Sequence, residues 1–144
     1  AGHYGLGIVP YSPLARGVLS GKYAPGAAPP ADSRAGRGDV RIQQTEWRDE
    51  SIEIARQVGE RAAAKGIGTI DFAMAWILRN ALVAAPIAGP RTEEQWDAYV
   101  KCLDVRLDAE DEAFVDALVH PGHASTPGYT DPAFPIEGRR LLRP

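Results

Sequence analysis

"PYSPLARGVLSGKY" (residues 10–23) decides how this 144-residue chain is read. Two glycines and a lysine among small residues suggest a loop that handles phosphate. A nucleoside-triphosphate P-loop needs a glycine, four residues, then Gly-Lys-Ser/Thr, whose hydroxyl holds magnesium. Here only three residues separate Gly17 from Gly21, Arg16 stands where the first glycine belongs, and Tyr23 replaces the hydroxyl residue. That spacing excludes a P-loop. A turn-rich surface loop and a loop that holds another charged ligand both remain open.

The residues before it, "LGIVPY" (residues 6–11), form a short apolar run closed by Ser12-Pro13. Such a run suits a buried strand of a parallel sheet, ending at Pro10. "AGHYG" at the start of the chain has the character of a helix end. The absence of an initiator methionine leads us to expect a missing N-terminal portion. Beyond the opening stretch, residues 12–47 show little periodicity and are rich in Pro, Gly and Ala. Long irregular connections tend to be functional or disordered. Lys22, Arg34, Arg37 and Arg41 concentrate positive charge there, in a chain of net charge -3. A loop of that kind can fold over an anion.

Helical periodicity begins near Asp49, with Ile52, Ala55, Val58 and Ala62 on one face and a stop at Gly66. Thr69 is expected to cap a second helix. Phe72, Met74, Ala75, Trp76, Ile77 and Leu78 make it apolar nearly all round, which predicts deep burial. "LVAAPIAGP" (residues 82–90) is a second short strand candidate. Thr92 and Gln95 then form a capping box, with Trp96, Tyr99, Val100 and Leu103 as an apolar face. Asp108 and Asp111 open a last helix, with Phe114, Val115 and Leu118 inward. From His120 a Pro/Gly-rich tail is expected to wrap the surface. Strands alternating with helices imply an α/β fold with a parallel sheet.

Composition narrows the function. With 44% hydrophobic and 24% charged residues, the chain fits an ordinary soluble domain. Its slight negative charge offers no field for nucleic acid. No apolar run reaches the roughly 20 residues that span a bilayer. One cysteine, Cys102, rules out an intrachain disulfide and suits the cytoplasm. Neither HExxH, CxxC nor GxSxG occurs, so no metal or hydrolase motif stands out. His3, His120 and His123 lie near the chain ends. Asp49-Glu50 and Glu110-Asp111-Glu112 sit in first turns of helices, where acids complement the macrodipole, so they read as structural.

In parallel α/β folds, ligands bind at the carboxyl ends of strands. Two such ends are present: residues 11–15, and residues 88–92 followed by Gln95. The second joins a guanidinium, Arg91, to the free N–H groups of a helix start, which suits an anion or a plain cap.

Together these segments resemble the C-terminal part of the aldo-keto reductases. "GLGIVPYSPLARGVLSGKY" (residues 5–23) looks like that family's seventh barrel strand and cofactor loop. "DFAMAWILRN" (residues 71–80) looks like the following helix, and "APIAGPRTEEQ" (residues 85–95) like the eighth strand and phosphate turn. The likeness is strongest to the bacterial branch, which also resembles potassium-channel beta subunits. It implies the C-terminal portion of a (β/α)8 TIM barrel with its N-terminal portion missing, in an NADPH-dependent oxidoreductase acting on a small aldehyde or ketone. Residues 1–144 would be one partial barrel holding the last two strands, with residues 120–144 as its tail.

Carried over residue by residue, the resemblance places Tyr11 on the nicotinamide and Ser12, Pro13, Leu14 and Ala15 along the pyrophosphate. Lys22 and Arg34 would close over the phosphates. Gly89, Arg91 and Gln95 would hold the adenosine end, with Arg91 on the 2'-phosphate and hence a preference for NADPH. Where the family usually carries Glu-Asn, this chain has Ala98 and Tyr99. Tyr99 would pack against the adenine or into the core. The family's catalytic Asp, Tyr, Lys and His should precede Ala1, so the segment alone is expected to be inactive. Two other readings stay open: a non-catalytic nucleotide-binding subunit, and an inactive remnant.

Overall fold

The computed structural model describes residues 1–121 and 141–142. The expected surface tail, with His123, lies almost wholly outside these residues. Five α-helices dominate the described residues: α1 (Val40–Thr45), α2 (Asp49–Ala64), α3 (Thr69–Leu78), α4 (Glu93–Lys101) and α5 (Ala109–Leu118). Short 3-10 turns occupy Gly2–Tyr4, Ala15–Ser20 and Cys102–Asp104. The first ends at Gly5 in the left-handed region, matching the expected helix end.

The two strand candidates lie side by side and parallel, but as isolated bridges rather than a continuous ladder. Ile8 pairs with Val83 and Tyr11 with Ile87. The Ile8 N–H donates to the Leu82 carbonyl at 2.7 Å, Ala84 N–H to Ile8 at 2.9 Å, and Ile87 N–H to Pro10 at 2.8 Å. The three-residue step from Ile8 to Tyr11 is matched by a four-residue step from Val83 to Ile87, so the register slips by one. Pro10 and Pro86 have no N–H to donate, which keeps the ladder sparse. The expected burial of these segments is also corrected. Leu6, Val9 and Ile87 are more than half exposed, and the consecutive Ile8 and Val9 are both exposed, so the described residues bury neither face of the first segment.

α2 follows from its sequence. Ile52, Ala55, Val58 and Ala62 form its buried face, Asp49 and Glu50 sit in its first turn, and Arg61 in its last. It stops where Gly66 turns left-handed and Ile67 N–H returns to the Ala62 carbonyl. α3 starts one residue earlier than a Thr69 cap would give. Gly68 is its N-cap, and Asp71 Oδ2 accepts the Gly68 N–H at 2.9 Å. Phe72, Ala73, Met74 and Ala75 are buried, whereas Trp76, Ile77 and Leu78 are half-buried. α3 packs between α2 and α4.

The irregular segment 12–47 holds more structure than its composition suggests. It contains α1 and the Ala15–Ser20 turn, and it contributes Val18, Tyr23, Ala35 and Ile42 to a core with Ile52 and Ala55 of α2. Periodicity misses both elements because each is only six residues long. α4 departs from expectation too. Trp96, Val100 and Leu103 stay substantially exposed, and only Tyr99 of that face joins a core, with Leu14, Ala73, Met74 and Cys102. α5 behaves as read: Phe114, Val115 and Leu118 pack on the cluster of Val58, Ala62, Phe72, Ala75 and Leu107. Glu112 of α5 pairs with Arg79 at 2.8 Å, and both are structural.

Candidate functional site

The paired segments end side by side, and the chain after each builds one wall of a cleft of about 540 Å³. That volume falls within the roughly 300–1,000 Å³ usual for ligand sites. Tyr11, Ser12, Pro13, Leu14 and Lys22 come from the first segment; Gly89, Arg91 and Gln95 come from the second. Arg34 reaches the same cleft from residues 24–39, the arch between Tyr23 and α1. Nine of the ten candidate residues therefore meet in one place. Ala15 does not. It lines a separate, almost wholly apolar cavity of about 240 Å³ between the Ala15–Ser20 turn, α2, α3 and α5.

The first wall is a strained turn. Ser12, Ala15 and Arg16 all hold left-handed backbone, with φ of 52°, 46° and 55°. Such residues cost about 1–2 kcal/mol each and persist where surrounding contacts fix them. Gly17 and Gly21 supply the remaining left-handed positions without that cost. The turn thus folds back on itself, and Lys22 Nζ comes within 3.1 Å of where a Gly17 side chain would begin.

Non-local contacts bring Arg34 to the cleft. Tyr23 packs edge-on against Trp47 with ring centroids 4.9 Å apart, and its hydroxyl accepts the Ala35 N–H at 3.5 Å. Asp39 caps α1 by accepting N–H bonds from Arg41 (2.9 Å) and Ile42 (3.1 Å). Its carboxylate also lies 3.6 Å from Arg34. The Ile42 N–H is the main cause that lowers the Asp39 pKa, against the effect of burial; the Arg41 N–H and the charges of Arg34 and Arg16 add to it. Arg37 turns instead to the Asp32 carbonyl, and neither Arg37 nor Arg41 lines the cleft.

The second wall is a helix start. Thr92 Oγ1 accepts the Gln95 N–H at 3.3 Å, as a cap should. The other half of the expected capping box is altered: Gln95 Oε1 accepts the Arg91 N–H at 2.8 Å. That bond closes the turn and fixes the Arg91 backbone.

Sequence reasoning passed over Arg16 as a cleft residue. Its side chain lines the cleft, and its Nε donates to Thr45 Oγ1 at 3.2 Å, tying the turn to α1. Its charge was the available signal. Gly17, Ser20, Ile70, Ile87 and Tyr99 also line the cleft. The site therefore offers four cations, the Ser12 and Ser20 hydroxyls and a glutamine amide. This donor set fits a polyanion. Among the described residues, no group of His, Cys, Asp and Glu could hold a metal ion, and no helix is long and apolar enough to cross a membrane.

The chain belongs to the aldo/keto reductase family, whose sequence model matches residues 1–120. It is 35% identical over 106 residues to the uncharacterized oxidoreductase YrpG of Bacillus subtilis, covering 74% of this chain and 30% of that protein. It is 36% identical over 103 residues to a probable voltage-gated potassium channel subunit beta of Oryza sativa, covering 71% and 31%. A versiconal hemiacetal acetate reductase of Aspergillus parasiticus is 31% identical over 123 residues, covering 82% and 35%. The chain spans about a third of the length of the curated relatives it matches.

Proposed function

We propose that this chain is the coenzyme-binding segment of an NADPH-dependent reductase of aldehydes or ketones, part of a (β/α)8 barrel. The observation that carries this reading is the convergence of residues 11–22, Arg34 and residues 89–95 on one cationic cleft. Ser12 and Lys22, with Arg34 from the arch, hold the pyrophosphate. Gly89 admits the adenosine end, and Arg91, fixed by Gln95, pairs with the 2'-phosphate. Tyr11, three-quarters exposed at the end of the paired segments, offers its ring to the nicotinamide. The chemistry supplied by that coenzyme when bound is hydride donation to a carbonyl carbon. This chain binds and orients. The proton donor and its partners belong to the part of the barrel built by other residues of the full-length protein.

The test is an equilibrium titration of the full-length protein with NADPH and NADH, followed by coenzyme fluorescence. Micromolar or tighter NADPH binding, at least tenfold stronger than NADH, is the expected result. Equal affinities would remove the role given to Arg91, and no binding of either would end the reading. A second reading, a non-catalytic nucleotide-binding subunit, draws on the similarity to the potassium channel subunit beta. Tight NADPH binding without turnover of any aldehyde or ketone would favour it.

A further inference from the structure

We infer that the apolar cavity behind the Ala15–Ser20 turn is a second binding site, for a small neutral aromatic molecule with one hydrogen-bond donor, and that it is linked to the cleft. Only the link rests on the coenzyme reading above. The cavity holds about 240 Å³ between the turn, α2, α3 and α5. Val18, Leu19, Ile54, Phe72, Ile77 and Val115 are among its walls. An apolar cavity of about 150 Å³ already stays dry and takes up benzene. The larger space here suits a fused two-ring molecule. A helix, about 10 Å across with its side chains, is too wide for it. Glu46 and Ser51 bring the only carboxylate and hydroxyl to the lining. Glu46 is half-buried, and no ion pair among the described residues engages it. It repels an anion and offers an acceptor to one N–H or O–H, while the apolar walls would strip a cation of its water.

The turn is a wall shared by both sites. Leu14, Arg16, Gly17 and Ser20 line the cleft, whereas Ala15, Val18 and Leu19 line the cavity, and Pro13 borders both. Ser12, Ala15 and Arg16 hold left-handed backbone there, which persists only where contacts fix it. A molecule seated against Ala15, Val18 and Leu19 adds such contacts. It therefore favours the arrangement that presents Ser12 and Arg16 to the cleft, and the coenzyme strengthens its binding in turn by the same factor.

The probe is indole, titrated calorimetrically into the full-length protein without coenzyme and again with saturating NADPH. The expected dissociation constant without coenzyme is about 1 mM or tighter, within reach of a ligand of that size. NADPH should tighten indole by about fivefold, and indole should tighten NADPH equally. Benzoate, similar in size but anionic, should not bind. Val119 borders the cavity, and Val119→Trp, which fills it with a fused ring of the protein's own, should abolish indole binding. Absence of indole binding to the parent, as when another part of the full-length chain fills the cavity, would overturn the inference and needs no variant. So would benzoate bound as tightly as indole, or indole binding that survives unchanged in a Val119→Trp protein shown to be folded by its melting temperature. Indole and NADPH that leave each other's affinity within about twofold would overturn the link. If indole binds and NADPH does not, the coenzyme reading fails and the cavity site stands on its own.

Discussion

Replacing Asp111 with asparagine should loosen the clasp that fixes α5 to α2. Asp111 is fully buried. Its Oδ1 accepts from Arg61 Nε at 2.8 Å, Lys65 Nζ lies 2.8 Å from its Oδ2, and Oδ2 also accepts the Asp108 N–H at 3.0 Å. Burial by itself raises the Asp111 pKa. The bonds from Lys65, the Asp108 N–H and Arg61 outweigh it, and the carboxyl is held below its ordinary range. Asp111→Asn keeps the shape and one acceptor oxygen but leaves two cations facing a neutral group. Breaking a buried ion pair costs about 3–5 kcal/mol. Arg61 and Lys65 are roughly a quarter exposed and keep Glu110 (3.7 Å) and Asp108 (3.0 Å) as partners, which places the loss near the lower end. We expect about 3 kcal/mol at neutral pH, read from urea unfolding of the full-length protein at unchanged slope. Hydrogen exchange should show the earliest opening in α5. In a double-mutant cycle with Lys65→Met, a coupling of at least about 1 kcal/mol should appear. A loss under about 1 kcal/mol with no coupling would refute the claim that this carboxylate holds α5 in place.

Three further outcomes are specific. Arg91→Met should weaken NADPH by roughly 10- to 100-fold, the worth of a charge-assisted bond, and NADH by less than about threefold in the same titration. Gly21→Ala should cost about 2–3 kcal/mol in urea unfolding, since φ is +79° and the new Cβ would stand 2.9 Å from Thr69 Oγ1. Acid should act through the same α2–α5 clasp. The bond from Lys65, then the Asp111 N–H, holds Asp108 at about 2, and Asp111 is lowered as well. Both folded values lie below the unfolded carboxylate value near 4, so this stability is complete above about pH 4 and is lost as pH falls toward 2. Urea midpoints between pH 5 and 2 should drop more steeply for the parent than for Asp111→Asn.

Local chemistry made much of the helical framework legible. Gly66 marks the end of α2, and Asp108 with Asp111 marks the start of α5, because caps act over three or four residues. α1 was hidden: its cap, Asp39, sits in a Pro/Gly-rich stretch, and its single turn gains burial only through Ile42 against α2. The apolar runs at residues 6–11 and 82–90 announced pairing correctly but not exposure, which depends on what covers them. In the site, the two segment ends were readable from small residues beside cations. The arrival of Arg34 was not readable from spacing, since the Tyr23–Trp47 contact that carries it spans 24 residues of chain that show no periodicity. Ala15 follows the same logic in reverse. Its left-handed backbone turns its methyl away from the cleft segment and into the neighbouring apolar cavity.

The account's central claim is that the two segments and the arch form a single nucleotide cleft. Hydrogen exchange of the full-length protein with and without saturating NADPH tests it most directly. The account predicts slowed exchange at residues 12–22, at residues 34–35 and at residues 89–95 together, with α5 unchanged. Protection confined to one of these segments, or found in none, would contradict it.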